Sequence, residues 1–297
     1  MDAIDLHTHS TCSDGTLTPG EIIELAREKG LKAVALTDHD TTVGIDEALA
    51  KGTALGIEVL PGVEISASHG NQAMHLLGYG FRHHDPQLQD RLRVLQTARH
   101  DRNCRILANL NALGIPVEWS ELPSTTGQIG RPHIARLLTA KGIVKNMDKA
   151  FERFLRRGAA AYVHSYRMEA DQAIAMISEA GGLAFLAHPA SADPKLKAAG
   201  ALLADLKAMG LAGLELQYPT HTPQTVATLR RLGESLGLLF SGGSDFHGDG
   251  RPQIPLGGRR HDPPVHYRLL TAIKDRLAPP LPATAPGIAP IKTNGER

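Results

Sequence analysis

"KAVALTDHD", residues 32–40, decides how this chain is read. Ala33-Val34-Ala35-Leu36 is a short unbroken apolar run, the pattern of a strand buried on both faces. It stops at once in Thr37-Asp38-His39-Asp40. Just upstream, Thr18-Pro19-Gly20-Glu21 is a capping box with proline at the first helical position, and Gly30 is a natural helix stop. The unit is therefore helix, buried strand, polar strand end. It recurs along the chain. Ala3-Ile4-Asp5-Leu6 ends in His7-Thr8-His9, and Ile57-Glu58-Val59-Leu60 runs toward Gly62-Val63-Glu64. Met74-His75-Leu76-Leu77 and Leu214-Glu215-Leu216 are further strands. Leu183 to Ala187 ends in His188-Pro189, and Leu238-Leu239-Phe240 ends in Ser241-Gly242-Gly243-Ser244-Asp245-Phe246-His247. Strands alternating with helices predict βαβ units, a largely parallel sheet and an α/β fold.

Residues 86–160 break the alternation and read as an inserted helical subdomain. Residues 1–85 and 161–277 would then form the α/β domain, with the insert as a cap. Residues 278–297 are rich in proline and alanine and read as a flexible tail. Gly78-Tyr79-Gly80 reads as a turn, and Arg102-Asn103-Cys104-Arg105 as a solvated helix face.

Composition narrows the function. Formal net charge is +1 over 297 residues, so no broad basic field exists to wrap a long duplex nucleic acid. Two cysteines with no CxxC spacing fit a reducing compartment. No secretory signal and no apolar run near 18 residues is visible, so a cytoplasmic protein without membrane contact is expected. There is no GxSxG, P-loop or GxGxxG motif.

Fifteen histidines beside few aromatics are the compositional oddity. His7, His9, His39, Glu64, His75, His188, Asp245 and His247 fall at or near predicted strand ends, which parallel α/β folds gather on one face. His7 and His9 project to one side of an extended segment, and Asp245 and His247 repeat the spacing. A single strand-end histidine is usually a hydrogen-bonding residue, and Asp14 before Gly15 could form an Asx-turn. Gathered without partners, these groups would cost roughly 1–3 kcal/mol each in desolvation. Metal ions remove that cost, because imidazole and carboxylate are ordinary ligands of zinc, iron and manganese. His69, His83, His84, His100, His164, His261 and His266 follow no ligand pattern and are left as surface or core residues.

The motifs "DLHTHSTCSDG", "ALTDHD", "GVEIS", "MHLLGYG", "AHP" and "SGGSDFH" occur in that order between residues 4 and 250. In this the chain resembles the polymerase and histidinol phosphatase (PHP) superfamily of metal-dependent phosphoesterases. "SDG", "GRPHIAR" at 130–136 and the insert resemble the branch of 3′,5′-nucleoside bisphosphate phosphatases and 5′-3′ exoribonucleases. The resemblance implies a distorted (β/α)7 barrel and a centre of two to three divalent transition-metal ions. His7, His9, Glu64 and Asp245 would hold the first ion. Glu64 would bridge to a second, completed by His75 and His188. Asp14, His39 and His247 would hold a third. Some relatives carry histidine where this chain has Asp14. The carboxylate is a harder ligand and favours manganese or iron over zinc. The implied reaction is hydrolysis of a phosphate monoester on a small nucleotide or short oligonucleotide, by a hydroxide shared between metals. A 3′,5′-bisphosphate would give a nucleoside 5′-monophosphate; exonucleolytic cleavage of short RNA or DNA and histidinol phosphate hydrolysis are the alternatives. Arg131 and His133, in the insert, could clamp a second phosphate, and His221 could protonate the leaving oxygen.

Overall fold

The structure, a computed structural model, describes residues 2–123, 127–191, 193–259 and 261–277. The tail segment 278–297 lies outside the described residues. The strands are β1 (Ala3–Thr8), β2 (Ala33–Leu36), β3 (Glu58–His69), β4 (Gln72–Tyr79), β5 (Met168–Glu169), β6 (Leu183–Leu186), β7 (Gly213–Gln217), β8 (Leu239–Gly242) and β9 (Val265–His266). The helices are α1 (Pro19–Glu28), α2 (Ile45–Leu55), α3 (Pro86–Ala112), α4 (Arg131–Ala140), α5 (Met147–Ala150), α6 (Ala170–Glu179), α7 (Ala199–Ala208), α8 (Pro223–Ser235) and α9 (Tyr267–Leu277).

The sheet runs β8-β7-β6-β4-β3-β2-β1-β9, with β5 beside β3. β1, β2 and β3 are parallel, joined through α1 and α2. β6, β7 and β8 are parallel, joined through α7 and α8. A parallel bridge between Thr8 at the end of β1 and Phe246 just after β8 brings the two sides of the sheet together and closes the barrel. Its backbone bonds run from His9 N to Phe246 O at 2.9 Å and from Phe246 N to His7 O at 3.3 Å. The expected α/β barrel is present.

The middle of the sheet is the exception to the largely parallel arrangement expected. β3 and β4 form an antiparallel hairpin, and β4 is antiparallel to β6. β3 pairs with β2 over Glu58–Pro61 and with β4 from Gly62 onward. Pro61 and Gly62 thus mark a change of partner inside one strand. A Cβ on Gly62 would lie 2.7 Å from Leu36 O, so only glycine permits this approach. Gly78 and Tyr79, expected in a turn, complete β4 instead. Tyr79 is fully buried, packs edge-on against Phe185 with centroids 5.2 Å apart, and donates its hydroxyl to Leu6 O at 2.7 Å.

α1 starts as its sequence dictates: Thr18 Oγ1 accepts from Glu21 N, and Glu21 Oε2 accepts from Thr18 N. α3 serves two cores. Leu88, Leu92 and Leu95 join the barrel cluster of Ile65, Leu76 and Ile174. Farther along, Ile106, Leu107 and Leu110 join Ile134, Leu138, Phe154 and Leu155 in a separate cluster. α3 is thereby a rigid arm that carries the residues around 99–103 over the barrel.

Candidate metal centre and arginine pocket

β1 places His7 and His9 on one face and Ile4 and Leu6 on the other. Two glycines let neighbouring backbone press against these histidines. A Cβ on Gly243 would lie 2.4 Å from His7 Cβ, and one on Gly15 would lie 2.1 Å from His9 O. Glu64 is the hub, and it lies in the interior of β3 rather than at a strand end. His75, near the start of β4, is brought alongside because that strand runs back antiparallel.

The donor atoms fall into overlapping groups. His7 Nε2 lies 3.4 Å from Glu64 Oε2 and 3.5 Å from Asp245 Oδ1; His9 Nε2 lies 3.2 Å from each of the same oxygens. Glu64 Oε1 faces His75 Nδ1 at 2.8 Å and His188 Nε2 at 3.0 Å. His247 Nε2 lies 3.2 Å from Asp14 Oδ1. His39 faces both sides, Nδ1 toward Glu64 at 3.1 Å and Nε2 toward Asp14 at 3.9 Å. His7, His9, Glu64 and Asp245 form one set whose ligand atoms lie within 4.8 Å of one another; His9, Asp14, His39 and His247 form another; His39, Glu64 and His75 a third.

These residues suit metal ions. His7 Nε2, His9 Nε2 and His39 Nδ1 are buried with no hydrogen-bond partner, although each points at a carboxylate. Burial resists charge on His9, but the Asp245 and Glu64 carboxylates that face its Nε2 outweigh it and push the imidazole up to about 10. Burial of His39 prevails over Glu64 and Asp14 and pushes it down to about 3. Burial would raise the Glu64 and Asp245 carboxyls, yet the surrounding histidines hold both well below the usual carboxylate range. A site that draws protons onto buried imidazoles to balance its carboxylates is one that a divalent cation can balance instead.

An outer layer fixes the candidate ligands, and sequence reading missed it. Glu215, fully buried on β7, takes His7 Nδ1–H at 3.0 Å and the His188 backbone N–H at 2.7 Å. It thereby presents His7 Nε2 to the centre, the usual service of a carboxylate behind a ligand histidine. Asp5 accepts from Ser244 N at 2.9 Å and His7 N at 3.2 Å. Asp38 accepts from Ser10 N and Ser13 Oγ. Asp245 also receives Tyr218 Oη–H at 2.8 Å and Arg251. Asp40, His188 and Asp245 hold φ at 54°, 29° and 55°, left-handed conformations costly for non-glycine residues and concentrated here at the site. A carboxylate inside an apolar strand, as in Leu214-Glu215-Leu216, was the available signal for Glu215.

Beside the centre lies a cavity of about 180 Å³ lined by Asp14, His39 and His75 on one side and Arg99, Arg102, Arg131 and Arg167 on the other. Arg99 pairs with Asp40. Arg102 overturns the expected solvated helix face: it is only 5% exposed, and Asn103 beside it is fully buried. Its guanidinium bonds Ser165 Oγ at 2.9 Å and Asn103 Oδ1 at 2.8 Å, both neutral. Burial and the neighbouring Arg99 and Arg131 push it down to about 9. Arg131 reaches the same cavity and donates to Leu155 O at 3.2 Å. His133 is buried at the start of α4, where its Nδ1 accepts Gly130 N–H at 3.0 Å; burial pushes it down to about 4, so it is neutral. His221 bonds Leu216 O through Nδ1 and lies tilted against Tyr218 with ring centroids 5.4 Å apart; Tyr218 in turn stands 5.3 Å from His188. It lines a different cavity, of about 420 Å³.

Residues 5–116 match the PHP domain family. The 3′,5′-nucleoside bisphosphate phosphatase of Chromobacterium violaceum is 34% identical over 286 residues, covering 94% of this chain and 99% of that protein. The 5′-3′ exoribonuclease of Haemophilus influenzae is 36% identical over 244 residues, covering 82% of this chain and 89% of its own length. A solved structure from Bifidobacterium adolescentis, provisionally named a metal-dependent phosphoesterase, superposes with a TM-score of 0.84 at 30% identity, over 92% of this chain and 96% of that one. With near-full-length relatives above 30% identity and a site rich in imidazole and carboxylate, the chain belongs to the PHP domain family.

Proposed function

We propose that the protein is a metal-dependent phosphoesterase that hydrolyses a 3′,5′-nucleoside bisphosphate to the nucleoside 5′-monophosphate and phosphate. The observation that carries this reading is the arginine pocket against the ligand cluster. One phosphate is cut beside Glu64, and a second anion is held by the arginines that line the same cavity as Asp14, His39 and His75. His7, His9, Glu64 and Asp245 would hold one ion, Glu64, His75 and His188 a second, and Asp14, His39 and His247 a third. Manganese is the expected loading because three carboxylates enter the set. Bound ions supply an activated water and neutralise charge on the scissile phosphate.

The chain's own residues do the rest. Arg102 and Arg131 offer planar forks that match a phosphate's oxygens. Arg99, held by Asp40, adds charge without mobility. Glu215 keeps His7 in one tautomer. For His221 to protonate the leaving oxygen, its Nε2 must first gain a proton, which burial resists. A His221→Ala variant with unchanged kcat would remove it from the reaction.

Tyr166, 50% exposed at the rim of the same cavity and next to Arg167, favours a second reading, 5′-3′ cleavage of short oligonucleotides, because a base can stack on its face. Phosphate or mononucleotide release measured over nucleoside bisphosphates, 5′-phosphorylated oligonucleotides and histidinol phosphate tests both. A preference for histidinol phosphate would overturn them together. Among the described residues, no helix is long and apolar enough to cross a membrane.

A further inference from the structure

A second group of metal-ligating side chains lies outside the phosphoesterase centre. Asp46 sits in the first turn of α2, and His83 and His84 occupy the turn between β4 and α3. His83 Nε2 lies 2.8 Å and His84 Nε2 3.2 Å from the same oxygen, Asp46 Oδ1. The two rings are 4.2 Å apart. We propose that Asp46, His83 and His84 form a zinc-class transition-metal site that braces the root of α3.

Three features support it. The donor set is right: two imidazoles and a carboxylate suit zinc, nickel or cobalt and do not suit magnesium or calcium. The spacing is right as well. Zinc bonds of roughly 2.0–2.1 Å in a tetrahedron put neighbouring ligands about 3.3 Å apart. The two measured separations are within half an ångström of that edge, and all three ligand atoms lie within 4.8 Å of one another. The side chains of His84 and Asp46 are 74% and 65% exposed, which leaves the fourth position to water. Such an open three-ligand site binds more weakly than a closed one but exchanges freely.

Its position gives it a consequence. Gln89, on α3, already ties this turn to the segment after His39-Asp40, donating to Thr42 Oγ1 at 2.7 Å and His83 O at 2.5 Å. Farther along α3, Gln96 donates to Asp40 O at 2.9 Å. A metal at Asp46 would clamp the same two segments at their outer end, and α3 is the arm that carries Arg99 and Arg102.

The test compares manganese-loaded full-length protein with the His83→Ala/His84→Ala double variant and with Asp46→Asn. Each is titrated with zinc, the excess is removed, and bound zinc is counted. Zinc exchange at the barrel centre is common to all three and cancels in the difference. Wild type should retain one zinc more per chain than either variant, and zinc should raise its thermal midpoint further. Zinc-edge anomalous density at Asp46 Oδ1 should accompany it. Equal zinc counts and equal zinc-induced shifts would overturn the proposal. Activity in manganese alone, expected to be unchanged, reports whether the variants fold; should the double variant be lost, His84→Ala, which changes the most exposed of the three side chains, decides the question by the same count. None of these readouts depends on which phosphate ester the enzyme prefers.

Discussion

Arg102→Gln separates substrate binding from fold support. In the wild type the guanidinium is buried and bonded to the neutral Ser165 and Asn103. Asp40, which favours its charge, is already taken by Arg99 and Ser66. Of its five N–H groups, Nε and one on each terminal nitrogen are engaged, so about two remain for an anion in the cavity. Glutamine keeps an amide that can donate to Asn103 Oδ1 but removes the charge and the free donors. A lost charge-assisted pair is worth roughly 1.5–3 kcal/mol, a fall of about 10- to 150-fold in kcat/KM for a 3′,5′-bisphosphate. A nucleoside 3′-monophosphate carries only the scissile group, so its kcat/KM should stay within about twofold. Stability should move the other way. In phosphate-free buffer the variant no longer buries a cation without an acidic partner, so its thermal midpoint should equal or exceed wild type. Inorganic phosphate should raise the wild-type midpoint more than the variant's. Arg102→Lys should recover part of the bisphosphate activity, since it returns charge without the fork. The assay is a two-by-two comparison of both enzymes on both substrates, beside melting curves with and without phosphate. Equal losses on both substrates, or a loss of stability matching the loss of activity, would show that Arg102 supports the cap and does not read the second phosphate.

Other outcomes follow from the same geometry. Glu64→Gln should lose bound metal and lower turnover more than about 100-fold, since even outer contacts to metal ligands act on that scale; elemental analysis beside kinetics checks it, and near-normal turnover with full metal content would contradict the hub role. Tyr79→Phe should cost about 1–2 kcal/mol and lower the midpoint by a few degrees, because it deletes the buried bond to Leu6 O; an unchanged melt would place that bond's net worth near zero. Burial and the nearby Asp38 push the Cys12 thiol up to about 11, while Cys104 is exposed. A thiol reagent at pH 8 should therefore find one fast cysteine per folded chain, Cys104, and the second only on unfolding, because the Cys12 thiolate fraction there is on the order of 10⁻³. Two fast thiols would show that the loop around Cys12 opens.

The parts of this site that could be read in the sequence were those that follow an apolar run directly, at His7 and His188, or after a short polar turn, at His39 and Asp245. There the strand and the candidate ligand are close in sequence. Glu64 and His75 were recognised as residues, but their placement was not, because Pro61-Gly62 resembles a strand end and is instead the point where β3 exchanges β2 for β4. The antiparallel hairpin cannot be seen in local periodicity, which carries no strand direction. Glu215 was concealed by its apolar neighbours. Arg102 was misread because a charged residue on a long helix is normally solvated, and only the second core around Ile106 and Leu138 shows that α3 is covered on that side.

Closure through Thr8 and Phe246 sets an order in time. His7 leaves the ribosome about 240 positions ahead of His247, a delay of roughly 10–50 s at about 5–20 residues per second. Throughout that interval β1 has no partner at its closing edge, and the imidazoles that gather around Glu64 lack Asp245. A nascent chain therefore cannot assemble the full donor set, however much of the barrel has already formed. On the ligand assignment proposed above, the ion is chosen only after synthesis has passed residue 247, by whatever metal pool bathes the chain at the moment the barrel shuts.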